Sequence, residues 1–450
     1  MQEKYELEQL MELVQTKQFR KLRSILMEMN EVDVAEFLDE LGPEETILVF
    51  RLLPKEQAAE VFAELEDSDD QERLINALSD KELREVLDEL YLDDTVDVIE
   101  DMPANVVSRI LRNSDPASRS QINQLLNYPK DSAGSIMTTE YVFLHPDATV
   151  EESFARIRKE GMDKETIYTC YVTQNRVLLG VVTVRRLLLS AYETKIRDIM
   201  ETNVLSVNTH DDKEDVAQML NKYDLSAIPV VDGDNRLVGI VTFDDAMDVI
   251  EEETTEDFEK MAAMAPSERP YLKTGVFTLA RHRIVWLLVL MISGMITGGI
   301  LGRYEAAFSA MPLLVTFIPM LTDTGGNAGS QSSTLVIRGM AVGEIRLRDF
   351  ARVFWKELRV SMLVGAALST VNYVRLILTY PGQTATALTV AAALFVTVLL
   401  AKTVGGVLPM AAKFFKADPA IMAAPLITTI VDAISLVVYF NIASALLPLA

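Results

Sequence analysis

The sequence predicts a multidomain protein. An acidic all-α helical-repeat domain is expected over residues 1–127, a duplicated α/β module over 128–250, an acidic linking helix over 251–275 and a five-span α-helical membrane domain over 276–450. Three observations carry that reading. Charge is unevenly divided: residues 271–450 hold only 7 of the 66 acidic residues but 14 of the 42 basic ones. Short units of helical periodicity recur through the first part, and a longer strand-and-helix unit then occurs twice. The last part contains apolar runs long enough to cross a bilayer.

Residues 1–270 therefore hold 59 acids against 28 bases. Such a surface repels nucleic acid and anionic lipid, and cations are its natural counterpart. The first residues, MQEKYELEQL, contain no apolar stretch of the signal-peptide kind, so this half is expected in the cytoplasm. The one cysteine, Cys170 in IYTCYV, excludes an intrachain disulfide and is expected in a core.

From residue 41 a pattern returns every 11 to 13 residues: LGPEETILVF, LPKEQAAEVF, LEDSDDQERL, LSDKELREVL, YLDDTVDVIE, MPANVVSRIL. Most units carry Pro, Ser or Asp near the start, then acids that suit the positive end of a helix dipole, then apolar residues at helical spacing. Helices this short cannot bury a face alone, so they are expected to stack as an array to about residue 127. An inert scaffold is the plain role for such an array, and its excess of acids is the reason to expect more.

Between about 130 and 250, IMTTEYVFLHPDATVEESFARI followed by IYTCYVTQNRVLLGVVTVRRLLL recurs as IMETNVLSVNTHDDKEDVAQML followed by SAIPVVDGDNRLVGIVTFDDAMDVI. The order is strand, helix, two strands around a tight polar turn, helix. The copies differ where the second reads Thr242-Phe243-Asp244-Asp245 and the first Thr183-Val184-Arg185-Arg186. Beyond them Asp245, Asp248, Glu252, Glu256 and Glu259 fall at three- and four-residue spacing, which lines one helical face with carboxylates. Like charges at that spacing destabilise an isolated helix. The stripe is either a solvated connector or a face that meets another acidic surface across divalent cations, and oxygen donors without His or Cys fit Mg2+ or Ca2+.

Apolar runs at about 284–302, 312–337, 358–378, 385–411 and 421–447 predict five spans. Arg281 and Arg283 precede the first; Arg338, Arg346, Arg348, Arg352 and Lys356 follow the second; Lys413 and Lys416 follow the fourth. The positive-inside rule places the N-terminus in the cytoplasm and the C-terminus outside. Lys402, inside the fourth run, is expected to snorkel to the interface. Asp323 and Asp432 lie at membrane depth, where an ionisable residue lines a pathway or needs a partner. The last run holds no Lys, Arg or His to neutralise Asp432. Two copies facing across a twofold axis would form a paired-carboxylate site that one hydrated divalent ion neutralises. Pro425 cannot donate to the carbonyl of Ile421, which frees an oxygen near the helix start, and Thr428 lies on the face of Asp432 one turn earlier. The glycines of the second run allow close helix approach, whereas Asn327 and Gln331 favour the wall of a wet pathway.

The segment Ile228-Pro229-Val230-Val231-Asp232 with Gly239-Ile240-Val241-Thr242 resembles a tandem CBS pair. That resemblance implies one α/β unit with a cleft of a type that often takes adenine nucleotides, so ATP is a candidate ligand, although the first copy lacks the acid that would hold a ribose hydroxyl. TGGNAGSQSS at 324–333, ADPAIMAAPLITTIVDAISL at 417–436 and the order of domains resemble the MgtE family of magnesium channels over essentially the whole chain. The resemblance implies a homodimeric, Mg2+-selective channel in the cytoplasmic membrane, with no enzymatic activity, its pore on the twofold axis and Asp432 as the selecting residue. It further implies cytoplasmic Mg2+ sites that close the pore, from Glu60, Asp93 and Asp97 of the array and Asp212, Glu214, Asp224, Asp245, Asp248, Glu253, Glu256 and Asp257 of the pair and linker. Ala424 departs from family members that carry Asn beside the proline. Co2+, Ni2+ and Mn2+ are further candidate permeants. Two rivals stand beside this reading: a membrane-anchored metal or nucleotide sensor without transport, and an intramembrane protease suggested by Asp323-Thr324-Gly325.

Overall fold

The computed structural model describes residues 7–65, 67–100, 102–267, 271–304 and 311–447, with only the main chain at 163. The chain divides into two compact units, residues 1–251 and 252–450.

Ten short helices open the first unit, from α1 (Leu7–Gln15) to α10 (Pro116–Leu125), among the described residues. Those that fall on the six repeats are α4 (Pro43–Phe50), α5 (Lys55–Ala63), α6 (Ser68–Ala77), α7 (Asp80–Leu87), α8 (Leu92–Glu100) and α9 (Ala104–Asn113). Their starts follow from local chemistry. Pro43 occupies the first turn of α4, where its missing N–H costs nothing. The Asp67 carboxylate accepts the Asp69 N–H at 2.9 Å, and Ser79 and Glu82 cap α7 reciprocally. Each helix turns a few apolar side chains inward, such as Val49 and Phe50, Val61 and Phe62, Leu74 and Ile75. Their core runs on without a break into the second α/β copy through Ala133, Met137, Val216, Leu220 and Val241.

Strands β1 (Tyr141–Leu144), β2 (Thr166–Gln174) and β3 (Val177–Thr183) form one sheet; β4 (Val207–Asn208), β5 (Ala227–Val231) and β6 (Leu237–Thr242) form the other. In each, the first pair is parallel and the second antiparallel. Asn175 and Arg176 both hold positive φ, 54° and 69°, which closes the two-residue hairpin between β2 and β3. The two hairpin turns clasp each other: Leu178 N–H donates to the Asn235 carbonyl at 3.1 Å and Leu237 N–H to that of Arg176 at 2.8 Å. Cys170 is fully buried in the first copy's core. The copies end differently. After α11 (Val150–Glu160) the first closes in α12 (Val184–Leu188), whereas the second, past α13 (Ile196–Ile199) and α14 (Lys213–Tyr223), runs into the 19-residue α15 (Phe243–Met261). No Gly or Pro interrupts residues 243–261, so the linking helix begins inside the second copy rather than at 251.

The second unit contains five helices of 23 to 31 residues among its described residues: Val276–Arg303, Ile318–Ala341, Phe350–Thr379, Thr384–Phe414 and Ala424–Leu446. Each is longer than the roughly 30 Å needed to cross a hydrocarbon core. Four are also apolar enough to do so, not five. Ile318–Ala341 falls short because Asp323, Asn327, Gln331 and a run of Gly, Ser and Thr replace apolar side chains.

That polar helix packs against the fourth and fifth. A Cβ added at Gly405 would collide with the Gly329 carbonyl oxygen, and one at Gly326 would stand 2.9 Å from the Thr428 methyl. Backbones meet where small residues let them. Apolar packing completes the contact through Leu321, Ala328, Val398, Ile427 and Val431, and the Tyr439 hydroxyl donates to the Leu314 carbonyl at 3.0 Å. No residue of the first long helix is buried.

Gly405→Ala forces a side-chain atom onto a backbone oxygen that cannot yield. It is expected to destabilise the membrane unit by about 1–3 kcal/mol, read as a lower Tm of the detergent-solubilised chain. An unchanged Tm would contradict this packing.

Candidate ion pathway and acidic clusters

The fifth long helix begins at Ala424, with Pro425 in its first turn. Ile421 lies before it in a separate 3-10 turn, Pro419–Met422. The reason expected for a free Ile421 carbonyl therefore changes: Pro425 breaks no interior bond, and the chain has simply not yet entered the helix. The next carbonyls are occupied, Met422's by the Ser333 hydroxyl and Ala423's by the Ile427 N–H. The Thr428 hydroxyl donates to the Pro425 carbonyl at 2.9 Å, as does that of Thr429. Its proton is committed, yet its oxygen still accepts from water. Asp432, one turn on, is half-buried and in electrostatic reach of Asp323, with no cation acting on it among the described residues.

Along the second long helix Asp323, Asn327 and Gln331 are exposed, while Gly325, Ala328, Gly329, Ser332 and Ser333 are buried. Four-residue spacing makes the exposed set a single stripe. Lys402 does not snorkel. It is 5% exposed and donates to the Ala328 carbonyl at 3.4 Å and the Ser332 hydroxyl at 3.2 Å, because the small residues of the second helix leave polar backbone and hydroxyl within its reach.

In the first unit Asp93, Asp97 and Asp245 come together, and sequence reasoning missed three companions: Asp94, Glu140 and Glu165. Asp93 is buried in α8, and its Oδ1 has no hydrogen-bond partner. Burial first, then the charges of Asp94 and Glu140, push its carboxyl up to about 7. Asp94 rises to about 7 by burial and the charge of Asp245. Glu165 is pushed to about 8 by burial and then by Asp93 and Asp245. Asp245 is likewise raised to about 7 by burial and Asp93, although Thr242 donates its hydroxyl to it at 2.5 Å. Asp97 is raised in the same way, but its side chain reaches solvent, which screens part of the repulsion. The parallel pairing of Tyr141 with Thr166 sets Glu140 and Glu165, the residues just before those strands, side by side. Glu140 also accepts the Leu92 N–H at 3.2 Å, at the start of α8. Strand pairing was the signal that would have found them.

Glu60 sits at the margin of this group: its charge, like those of Asp93, Glu140 and Glu165, acts on Tyr91. Asp212, Glu214 and Asp224 belong elsewhere. Asp212 caps the start of α14 (Lys213–Tyr223), accepting the Glu214 N–H at 2.9 Å, and Asp224 ends that helix with φ 51°. They are roughly 17 Å apart along it, too far for one ion within one chain. Asp248 and Glu253 lie farther along α15. Near its end Lys260 pairs with Asp418 at 2.7 Å and with Glu256, and Met261 packs on Ile337, Ala420 and Ala423. Asp257 is raised by burial and by Asp418, against the pull of Lys260. No three His, Cys, Asp or Glu side chains converge on one metal position among the described residues. The oxygen-only donors, with an unpartnered buried Asp93 oxygen, suit Mg2+ held through one or two carboxylates and its own waters.

A cleft of about 800 Å3 opens in the first unit between β2, α12 and Ser226, with Tyr168, Thr183 and Arg185 on its wall. Its fitness for a nucleotide rests on an aromatic ring and a guanidinium rather than on an acid for the ribose. Asp245, the acid of the second copy, serves the carboxylate cluster instead.

Family models match three stretches of the chain: an MgtE intracellular N domain at 29–131, CBS domains at 133–192 and 196–252, and an MgtE divalent cation transporter domain at 318–442. The magnesium transporter MgtE of Thermus thermophilus is 37% identical over 443 residues, 97% of this chain and 98% of the relative. That of Bacillus subtilis is 32% identical, covering 96% and 95%. Among solved structures, the cytosolic domain of the Mg2+ channel MgtE in complex with ATP matches with a TM-score of 0.52 and 38% identity, over 54% of this chain and 99% of that one. The soluble part of a magnesium transporter matches at 0.51 and 30%, over 55% and 97%.

Carboxyls with raised values make the folded unit hold protons that the unfolded chain has lost between about pH 4 and 7. Without divalent cations, their contribution to stability is full below about pH 4 and is lost as pH rises through about 7. In chelator, the Tm of the full chain is expected to fall between about pH 5.5 and 8, and Mg2+ to restore it. Asp93→Asn is expected to raise the chelated Tm at pH 8 by the equivalent of about 1 kcal/mol. A flat chelated profile would contradict the clustering.

Proposed function

The chain belongs to the MgtE family of magnesium transporters, and from that premise we propose that it conducts Mg2+ through a pathway between two copies, selected at Asp432 and closed by Mg2+ bound to its soluble acidic sites. It is a membrane transporter with cytosolic soluble domains, not an enzyme. The observation that carries the selection step is Asp432: a carboxylate on a half-open helical face, with no basic partner among the described residues and a second carboxylate in reach. Two copies would present two such carboxylates to one ion. Mg2+ gives up water reluctantly, so the ion would pass largely hydrated, its waters donating to Asp432, to the Thr428 oxygen and to the Asn327 carbonyl. The basic residues beside the second and fourth helices support an N-terminus inside and a C-terminus outside. Oxygen-only donors leave Co2+, Ni2+ and Mn2+ as weaker permeants.

Gating is a population shift. When Mg2+ is scarce, unneutralised carboxylates around Asp93 and Asp245 repel; when it is plentiful, bound ions offset that repulsion and favour the closed arrangement. The far end of α15 is tied through Lys260 to Asp418, six residues before the fifth long helix begins, so a moving connector pulls on the start of that helix. Glu60, Asp97, Asp212, Glu214, Asp224, Asp248, Glu253, Glu256 and Asp257 complete the regulatory set when two copies face each other. A sensor without transport would not need a polar, glycine-packed helix among its anchors. ATP is proposed for the cleft at Tyr168 and Arg185, on the strength of the ATP-bound relative.

In proteoliposomes, wild-type Mg2+ flux is expected to fall as Mg2+ rises on the soluble-domain side, and Asp432→Ala to abolish flux. Neutralising Asp245, Asp248 and Asp257 together is expected to move half-inhibition about tenfold or more toward higher Mg2+. Flux that survives Asp432→Ala would move selection elsewhere, and unchanged inhibition would remove the acids from gating. Separately, Arg185→Ala is expected to weaken ATP binding by about tenfold in calorimetry, and undiminished affinity would put ATP outside this cleft.

A further inference from the structure

Three charged or hydroxylated side chains from three different helices meet inside the membrane unit. Lys402 of the fourth long helix reaches the Ser332 hydroxyl of the second at 3.2 Å, and that hydroxyl donates to Glu357 Oε2 of the third at 2.6 Å. The same ammonium also reaches the Ala328 carbonyl at 3.4 Å. Ser332 is fully buried and Lys402 nearly so.

We propose that Lys402, Ser332 and Glu357 form a directional clamp that sets the rotation of the second helix, and through it the ion selectivity of the pathway, acting as positioning residues that do not touch the ion. The hydrogen bonds run one way. The ammonium can only donate, the ionised carboxylate can only accept, and the serine hydroxyl does one of each, so the chain has a single satisfied arrangement. A cation and an anion inside a membrane protein are costly unless paired and bonded, which makes this arrangement expensive to leave.

Geometry connects the clamp to the pathway. At about 100° per residue, Asp323, Asn327 and Gln331 fall within a sector of about 80°, and Ala328 and Ser332 lie about 100° and 140° round the axis from Asn327. The clamp therefore grips one turn from the side away from the polar stripe. The glycine contacts with Thr428 and Ile427 set how near the helices come. Such contacts have no preferred direction, whereas hydrogen bonds do. Holding the back of the helix in register keeps Asn327 and Gln331 turned to the open face.

The proposal rests on the reading of that face as a pathway wall, and the test separates the two. Asn327→Cys and Ala328→Cys are probed in the full chain with a membrane-impermeant thiol reagent, with the one native cysteine, Cys170, buried. With the clamp intact, the thiol of Asn327→Cys is expected to react and that of Ala328→Cys to be protected. Adding Lys402→Met is expected to slow the reaction of Asn327→Cys by about tenfold and, without the reporter, to lower the preference for Mg2+ over Na+ in proteoliposome flux by a similar factor. Glu357→Gln with Lys402→Met leaves no buried charge, so this pair is expected to keep the Tm while showing the same losses. Ser332→Ala gives a smaller effect in the same direction and carries the comparison if Lys402→Met does not fold. Folded variants in which the Asn327→Cys reporter reacts at an unchanged rate and selectivity is unchanged would overturn the clamp. An unreactive thiol in Asn327→Cys with the clamp intact would remove the pathway wall itself, and the clamp's role with it.

Discussion

Carboxylates that folding buries against one another, around Asp93, Asp94 and Asp245, are the constraint on which the rest of this structure depends. Asp93 is buried with an unpartnered oxygen, and Asp94, Asp245 and Glu165 crowd around it. A protein selected only for stability would place a lysine or arginine there, since removing or pairing a buried charge relieves a cost of several kcal/mol. Asp93, Asp94, Asp245 and Glu165 enter no salt bridge among the described residues, so a bound cation would offset a cost the fold carries. Because every donor is oxygen, hard divalent ions would suit this cluster best.

Asp432 applies the same rule in the membrane unit. Its surroundings are close-packed behind and open in front: Gly325 and Gly329 press against Val431 and Ile427 on the buried side of the second helix, while Asp323, Asn327 and Gln331 stay on the exposed side. Where a positive charge does occur inside the bundle, at Lys402, it is turned away from that stripe and satisfied by Ala328 and Ser332. With the lysine behind the second helix and the carboxylates on its open face, a proposed pathway along that face would attract positive ions.

Much of this architecture was legible in the sequence because it rests on local rules. Pro43, Asp67 and Ser79 announce helix starts through caps that involve only near neighbours. Asn175-Arg176 closes a two-residue hairpin for the same reason. The helices ahead of residue 41, Leu7–Gln15, Phe19–Leu26 and Glu31–Asp39, continue the same spacing within the expected helical domain, although none opens on the Pro, Ser or Asp that marks most later units. Glu140 and Glu165 went unread: they are 25 positions apart in the chain and meet only through parallel strand pairing. Lys402 was read as an interface residue because its partners lie on another helix, some 70 positions away.

By itself the sequence determined the order of helical array, duplicated α/β module, connector and membrane helices, together with the lone Asp432 and the hard-oxygen character of the acidic surfaces, because periodicity, capping and charge count are properties of neighbours along the chain. Only the tertiary structure decided which carboxylates stand together, which way Lys402 points and which face of the second long helix stays open. Those depend on contacts between residues distant in sequence, and the energy of a charge is set by what folding brings within a few ångströms of it.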